Sequence, residues 1–211
     1  MNRMNFIKGI AASSAGLFLP ALLFRKYKNS EPATKLHFVG LGAAGGNFLN
    51  YIYKKEIVAR YTYIDKQPKQ NPCPANRNFI KYCPEQNTQI ASLIQTNFME
   101  GETIVLLAGL GGKTGSNLSA ALFGHLQTAR RDVFLVATIP FDFEGKRQRN
   151  AHYAAYRLKA MGKQKNIAII ENQECFERFD NLQFFKAVEK MDEVVCFEVI
   201  KLLNKIEKTN T

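Results

Sequence analysis

Two glycine-rich stretches, GLGAAGGN at Gly40–Asn47 and LAGLGGKTGSN at Leu107–Asn117, hold the residue types from which an anion site is built. Each follows a short apolar run and precedes a helix-like segment. Glycine lets the backbone bend sharply and lets a ligand approach it without a side chain in the way. A helix starting directly after such a turn presents unpaired N–H groups and its positive dipole end, so the chemistry implied is the cradling of an anion, phosphate above all. The second stretch is not a Walker loop. That pattern needs glycine five residues before the Gly112, Lys113, Thr114 triplet, and Leu107 stands there.

The first stretch satisfies G-x-G-x-x-G at Gly40, Gly42 and Gly45, and Asp65 follows about 20 residues later, where a dinucleotide site places its ribose-binding acid. Alone, it describes an NAD- or FAD-binding domain. That reading leaves two features unexplained: the second turn at Gly109–Gly115, and the segment TIPFDFEGKR at Thr138–Arg147.

Holding such turns in place requires repeated strand–turn–helix units. Short apolar runs predict strands at Leu36–Val39, Tyr61–Ile64, Ile104–Ala108, Val133–Ile139 and Ile167–Ile170, and Lys66–Pro84, with four prolines, reads as a loop with room for a short strand at Phe79–Tyr82. Helices are expected after the first glycine turn to about Lys55 and over Pro84–Phe98, Ser116–Arg130 and Gly145–Met161. Phe184, Val188, Met191, Val195, Val199, Leu202 and Ile206 form one apolar stripe at three- and four-residue steps, predicting a final helix. The alternation predicts an α/β domain over residues 35–211, with a parallel sheet covered by helices on both faces in a three-layer, Rossmann-like arrangement.

The 211 residues suit one such domain plus an appendage, and 29 Lys and Arg against 18 acids give a net charge of +11. Anionic partners fit that balance: a nucleotide, an acidic membrane surface or nucleic acid. No basic run interleaves with aromatics in a nucleic-acid motif, which argues against the last. Cys73, Cys83, Cys175 and Cys196 form no C-x-x-C pair and have no histidine at zinc spacing, which argues against a metal centre. Cys175 and Cys196 read as core residues; Cys73 and Cys83 would pair only in an exported protein.

Residues 1–28 differ from the rest. Arg3 and Lys8 precede an uncharged run, Gly9–Phe24, and Arg25, Lys26 and Lys28 close it. A cleaved signal, an uncleaved anchor and a membrane-surface helix all fit, the run being shorter than the roughly 20 residues that span a bilayer. The start also resembles a degenerate twin-arginine export signal, with Met4 where the second arginine belongs. Asn29–Thr34 reads as a linker. An anchor would leave the domain in the cytoplasm with its nucleotide pool, whereas export would remove it.

GLGAAGGN, AGLGGKTGSN and TIPFDFEGKR, in that order, resemble the nucleotide-binding loops of the FtsZ/tubulin family, and the resemblance covers roughly residues 35–206. It implies a guanine-nucleotide site, for GTP or GDP with Mg2+, and residue roles follow position by position. Gly42, Ala43, Ala44 and Gly45 match the first phosphate-contacting loop, and Asn47 the base-contacting asparagine. Gly109, Gly111, Gly112, Thr114 and Gly115 match the signature loop around the β- and γ-phosphates. Glu144 matches the ribose-binding acid, Asn172 the asparagine after the sixth strand, and Asp192 the aspartate that reads the guanine edge. Asp65 matches the acid near the γ-phosphate and its magnesium-bound water.

The departures bear on what the site retains. Tyr63 replaces an asparagine, Lys113 and Asn117 replace glycines, and Val188 stands where an aromatic stacks on the base. Gln148 occupies the ribose-side arginine position, leaving Arg147 or Arg149 as substitutes. Lys113 implies a cost of about 1 kcal/mol if its backbone needs a positive φ, or else a point-charge contact to the phosphates. In the family the last helix leads to a loop whose acids complete a neighbour's GTPase site, and this sequence stops at Thr211. The expectation is therefore a GTP-binding protein with at most weak or partner-dependent hydrolysis, and an association with a full-length FtsZ-like partner. The alternative from the same departures is an interaction module that has lost its nucleotide.

Overall fold

The structure, a computed structural model, describes residues 35–67, 78–83, 89–161, 164–178 and 184–209. Residues 1–28, expected to be a signal or anchor, residues 29–34, expected to be a linker, and Cys73 lie outside them.

Six parallel strands form one sheet in the order β3-β2-β1-β4-β5-β6. They are β1 (Lys35–Leu41), β2 (Arg60–Asp65), β3 (Phe79–Lys81), β4 (Glu102–Gly109), β5 (Asp132–Ile139) and β6 (Ile167–Glu171). The helices are α1 (Gly42–Tyr53), α2 (Gln89–Asn97), α3 (Lys113–Thr128), α4 (Lys146–Ala160), α5 (Asn172–Arg178) and α6 (Phe184–Thr209).

Successive strand residues point to opposite faces, which splits the core in two. Phe38, Val105, Leu107 and Val136 pack with Phe48, Leu49 and Ile52 of α1, Cys175 of α5, and Met191, Val195 and Val199 of α6. Their neighbours Val39, Ile104, Leu106 and Leu135 pack with Leu93 of α2, Leu118, Leu122 and Phe123 of α3, and Ala154 and Leu158 of α4. The result is the expected three-layer α/β fold. Because both faces are covered, the central strands are largely apolar rather than alternating; β4 is buried from Glu102 to Ala108.

Two boundaries move in ways that matter. Helix α3 starts at Lys113, three residues ahead of the Ser116 expected from hydrophobic periodicity, because its first turn carries no apolar stripe to announce it. Helix α5 has too few residues for a periodicity signal, and in the sequence it does not stand out from the segment after β6. Of the helix expected over 84–98, residues 89–97 are helical and 84–88 lie outside the described residues.

Candidate functional site

From β1 the chain winds toward β2 on one side, and from β4 it winds toward β5 on the other. The strand order therefore reverses between β1 and β4, and open α/β sheets bind ligands outside the carboxyl ends of their strands at that point. Both glycine turns lie there, since Gly40 pairs with Leu107 and Leu41 with Ala108.

The turns interlock through their backbones. A Cβ on Gly45 would stand 2.3 Å from the Leu107 oxygen, and one on Gly115 would stand 2.1 Å from the Gly109 oxygen. Gly42, at φ 70°, abuts Thr114 and Gly115, and Gly109 abuts Ala44. Gly111, at φ 89°, rests on the Arg147 carbonyl at the start of α4. The second turn is closed by the Gly111 amide donating to Ser116 Oγ at 2.8 Å, and tied to β5 by the Leu110 amide donating to the Thr138 oxygen at 2.8 Å.

Helices α1 and α3 thus begin side by side. Their N-cap residues, Leu41 and Gly112, make no side-chain cap, and neither first turn contains an acid. Two sets of amide donors and two positive dipole ends face the same crevice without an internal anion to satisfy them.

No protein-family model matches the chain. Over 194 residues it is 24% identical to the mitochondrial division protein fszB of Dictyostelium discoideum, covering 82% of this chain and 52% of that protein. Over 196 residues it is 28% identical to the cell division protein FtsZ 1 of Methanocaldococcus jannaschii, covering 84% of this chain and 53% of that one. Its fold superposes on an empty FtsZ dimer of M. jannaschii with a TM-score of 0.66 at 22% identity, over 89% of this chain and 58% of that chain. The chain carries an FtsZ/tubulin-family domain. It spans about half the length of the curated relatives it matches.

Within this FtsZ/tubulin-family domain, the residues assigned by resemblance fall as follows. Gly42, Ala43, Ala44, Gly45 and Asn47 form the first turn and a half of α1, with Ala43 and Asn47 exposed. Gly109, Gly111 and Gly112 form the second turn, and Lys113, Thr114 and Gly115 open α3. Lys113 is exposed and lies outside the positive-φ region, so the expected backbone cost does not arise; Gly111 takes that conformation instead. Glu144 ends a 3-10 turn, accepting from the Phe141 amide at 3.2 Å and pairing with Arg147. The contact of Gly111 with Arg147 joins this pair to the glycine turns. Gln148 donates to Asp142 Oδ1 at 2.9 Å.

Asn172 begins α5 directly after β6, at the same edge of the sheet. Asp192 lies half-buried on α6, which packs against α1, α5 and β5.

Several contacts at this edge carry no sequence signal of their own. Tyr63 packs its ring under Gly46 and donates from its hydroxyl to Asp65 Oδ2 at 2.7 Å. Burial, with this bond adding, raises the Tyr63 phenol well above its ordinary value, so it remains a donor. Phe141 and Phe143 stack with centroids 5.1 Å apart, and Phe176 of α5 meets Phe141 edge-on at 6.0 Å. Together they place an aromatic shelf beside Glu144, while Val188 packs into the core.

A second polar cluster sits at the opposite end of the sheet. His37 and Glu102 are buried in the sheet, and the neutral imidazole donates from Nδ1 to Glu102 Oε2 at 3.2 Å while Nε2 accepts from the Thr62 hydroxyl at 2.8 Å. Glu102 also pairs with Arg60 and accepts from the Met99 amide at 3.0 Å. Burial pushes His37 down to about 4, outweighing the pull of Glu102. For Glu102, burial acts upward, but the Met99, Arg60 and His37 contacts bring it below the usual carboxylate value. These polar groups satisfy one another.

Proposed function

We propose that the crevice between the two glycine turns holds a guanine nucleotide, with the phosphates on the amides that open α1 and α3. The observation that carries this reading is the pair of uncapped helix starts, interlocked through Gly42, Gly45, Gly109 and Gly115 where a side chain would fill the approach. Glu144 and Arg147 would take the ribose side, and Asn47, Asn172 and Asp192 the base, whose donor edge a carboxylate suits. Lys113, exposed at the mouth of α3, adds a positive charge near the phosphates.

The residues fit a magnesium ion modestly. Mg2+ is commonly held by phosphate oxygens, waters and one or two carboxylates, and Asp65 is the carboxylate at the end of β2. Its two oxygens already accept from Tyr63 and from the Lys66 amide. When bound, the ion would neutralise phosphate charge. The engagement of Asp65 supports a site that retains nucleotide and hydrolyses it slowly, or only with a partner. The filament-forming FtsZ/tubulin fold supports a full-length FtsZ-like protein as that partner.

Equilibrium binding of GTP, GDP, ATP and NAD to the purified chain with Mg2+, repeated on Asp192→Ala and Glu144→Ala, tests the reading. Micromolar guanine-nucleotide binding that both substitutions weaken is expected. Binding of none of the four would make the domain a nucleotide-independent interaction module, and NAD binding would restore the dinucleotide reading of Gly40, Gly42, Gly45 and Asp65.

A further inference from the structure

The end of the domain opposite the glycine turns is built from the loops that enter the strands. Those entering β2, β4, β5 and β6 line one edge, with the start of β1 between the first two. At about 4.8 Å per strand spacing, the five strand starts span roughly 19 Å.

This edge combines exposed apolar tips with unneutralised cations. Val58, before β2, is 50% exposed and Met99, before β4, is 54% exposed; they stand on either side of the strand start where residues 1–34 join the domain. Tyr53, ending α1, and Tyr156, one turn from the end of α4, add exposed aromatic surface. Lys54, Arg130, Lys159 and Lys165 are exposed at this end and make no ion pair among the described residues. Acids offset part of the charge: Glu100 pairs with Arg131 at 3.6 Å, while Asp132, which accepts from the Thr103 hydroxyl at 3.0 Å, and Glu56 are the further exposed acids. Arg130 occupies a left-handed helix exit at φ 55°, a place glycine fills more easily, so a charge is kept there against backbone preference.

We propose that this edge lies against an anionic lipid surface. Apolar side chains with tyrosines among lysines and arginines match the boundary between acyl chains and acidic headgroups. The place where the chain enters the domain argues for a bilayer over another occupant. The uncharged run Gly9–Phe24 and the basic residues Arg25, Lys26 and Lys28 are followed by a linker of a few residues that meets the domain between Val58 and Met99. The nucleotide crevice would then face away from the membrane, open to a partner.

The chain contains no tryptophan, so single probes can be introduced into the full-length protein. Val58→Trp, Met99→Trp and, at the opposite end, Phe143→Trp would be mixed with phosphatidylcholine vesicles with and without phosphatidylglycerol, using acyl-brominated lipid as quencher. The expected result is quenching at 58 and 99 and none at 143 on anionic vesicles. Lys54→Gln and Arg130→Gln should each weaken partitioning by about fivefold. The proposal is overturned if all three probes stay unquenched while the protein sediments with vesicles, which would mean that the leader alone holds it. It is equally overturned by like quenching at all three positions, by equal binding to neutral vesicles, or by absence of binding. Probes at 58 and 99 already shielded without vesicles would show that the leader or a second copy covers the edge, and would overturn it too.

Discussion

The Tyr63 hydroxyl and the Lys66 amide each donate to Asp65, to Oδ2 and Oδ1, both at 2.7 Å, so the acid at the end of β2 is held from two sides. Hydrogen bonds to a charged group contribute more than neutral ones, but this one is only partly buried, so Tyr63→Phe is expected to cost about 1 kcal/mol. Released from the phenol, Asp65 would engage a magnesium-bound water more readily. GTP titrations with Mg2+ and with EDTA should then diverge further in the variant than in the parent. Equal divergence would make the bond purely structural.

The glycines separate into those that hold the turns together and those that leave room. Gly115→Ala drives a methyl group to 2.1 Å from a backbone oxygen that cannot move away cheaply. It should destabilise the domain by about 3 kcal/mol, read from the urea midpoint. Gly112 sits at φ −85°, and a methyl group added there would meet nothing within 4 Å, so Gly112→Ala should fold normally. A weakened nucleotide affinity in that variant would place the ligand directly over the loop.

Stability should fall in mild acid. The imidazole of His37 titrates near 4 in the folded chain against 6.5 ordinarily, so between those values the unfolded chain binds a proton that the native one does not. The contribution is complete above 6.5 and lost as pH falls toward 4, on the order of 3 kcal/mol in all. Glu102, lowered as well, adds to the loss below the usual carboxylate range. Urea unfolding at about pH 7.5 and about pH 5 measures the slope, and His37→Gln, which can still bridge Thr62 and Glu102, should flatten it.

Lys113→Ala tests the charge at the start of α3. The side chain is exposed and the residue unstrained, so stability should hold within about 0.5 kcal/mol. GTP affinity should drop several-fold, with a shallower dependence on salt than in the parent. An unchanged affinity at low salt would mean that the ammonium points to water.

Much of the domain is legible along the chain. The apolar runs mark the five longer strands, because a sheet covered on both faces demands near-continuous hydrophobic segments, while β3, a three-residue edge strand without a buried residue, falls in a stretch that reads mainly as loop. The α6 stripe marks the helix that closes one face, and the glycine spacings mark both turns. What escapes is short or lacks periodicity: α5, and the first turn of α3, where Lys113, Thr114 and Gly115 carry no apolar pattern. The His37, Arg60 and Glu102 cluster is equally silent, since its members come from three strands and each alone reads as an ordinary polar residue.

By itself, then, the sequence determined the α/β class, the strand and helix order and the two glycine turns, because backbone freedom and hydrophobic period are local properties of the chain. Only the tertiary structure decided that Gly45 meets Leu107 and Gly115 meets Gly109, that Tyr63 holds Asp65, and that Val58 and Met99 flank one strand start. Those pairings depend on which strands lie side by side and in what register, and hydrogen bonding across the sheet sets that between segments far apart in the chain.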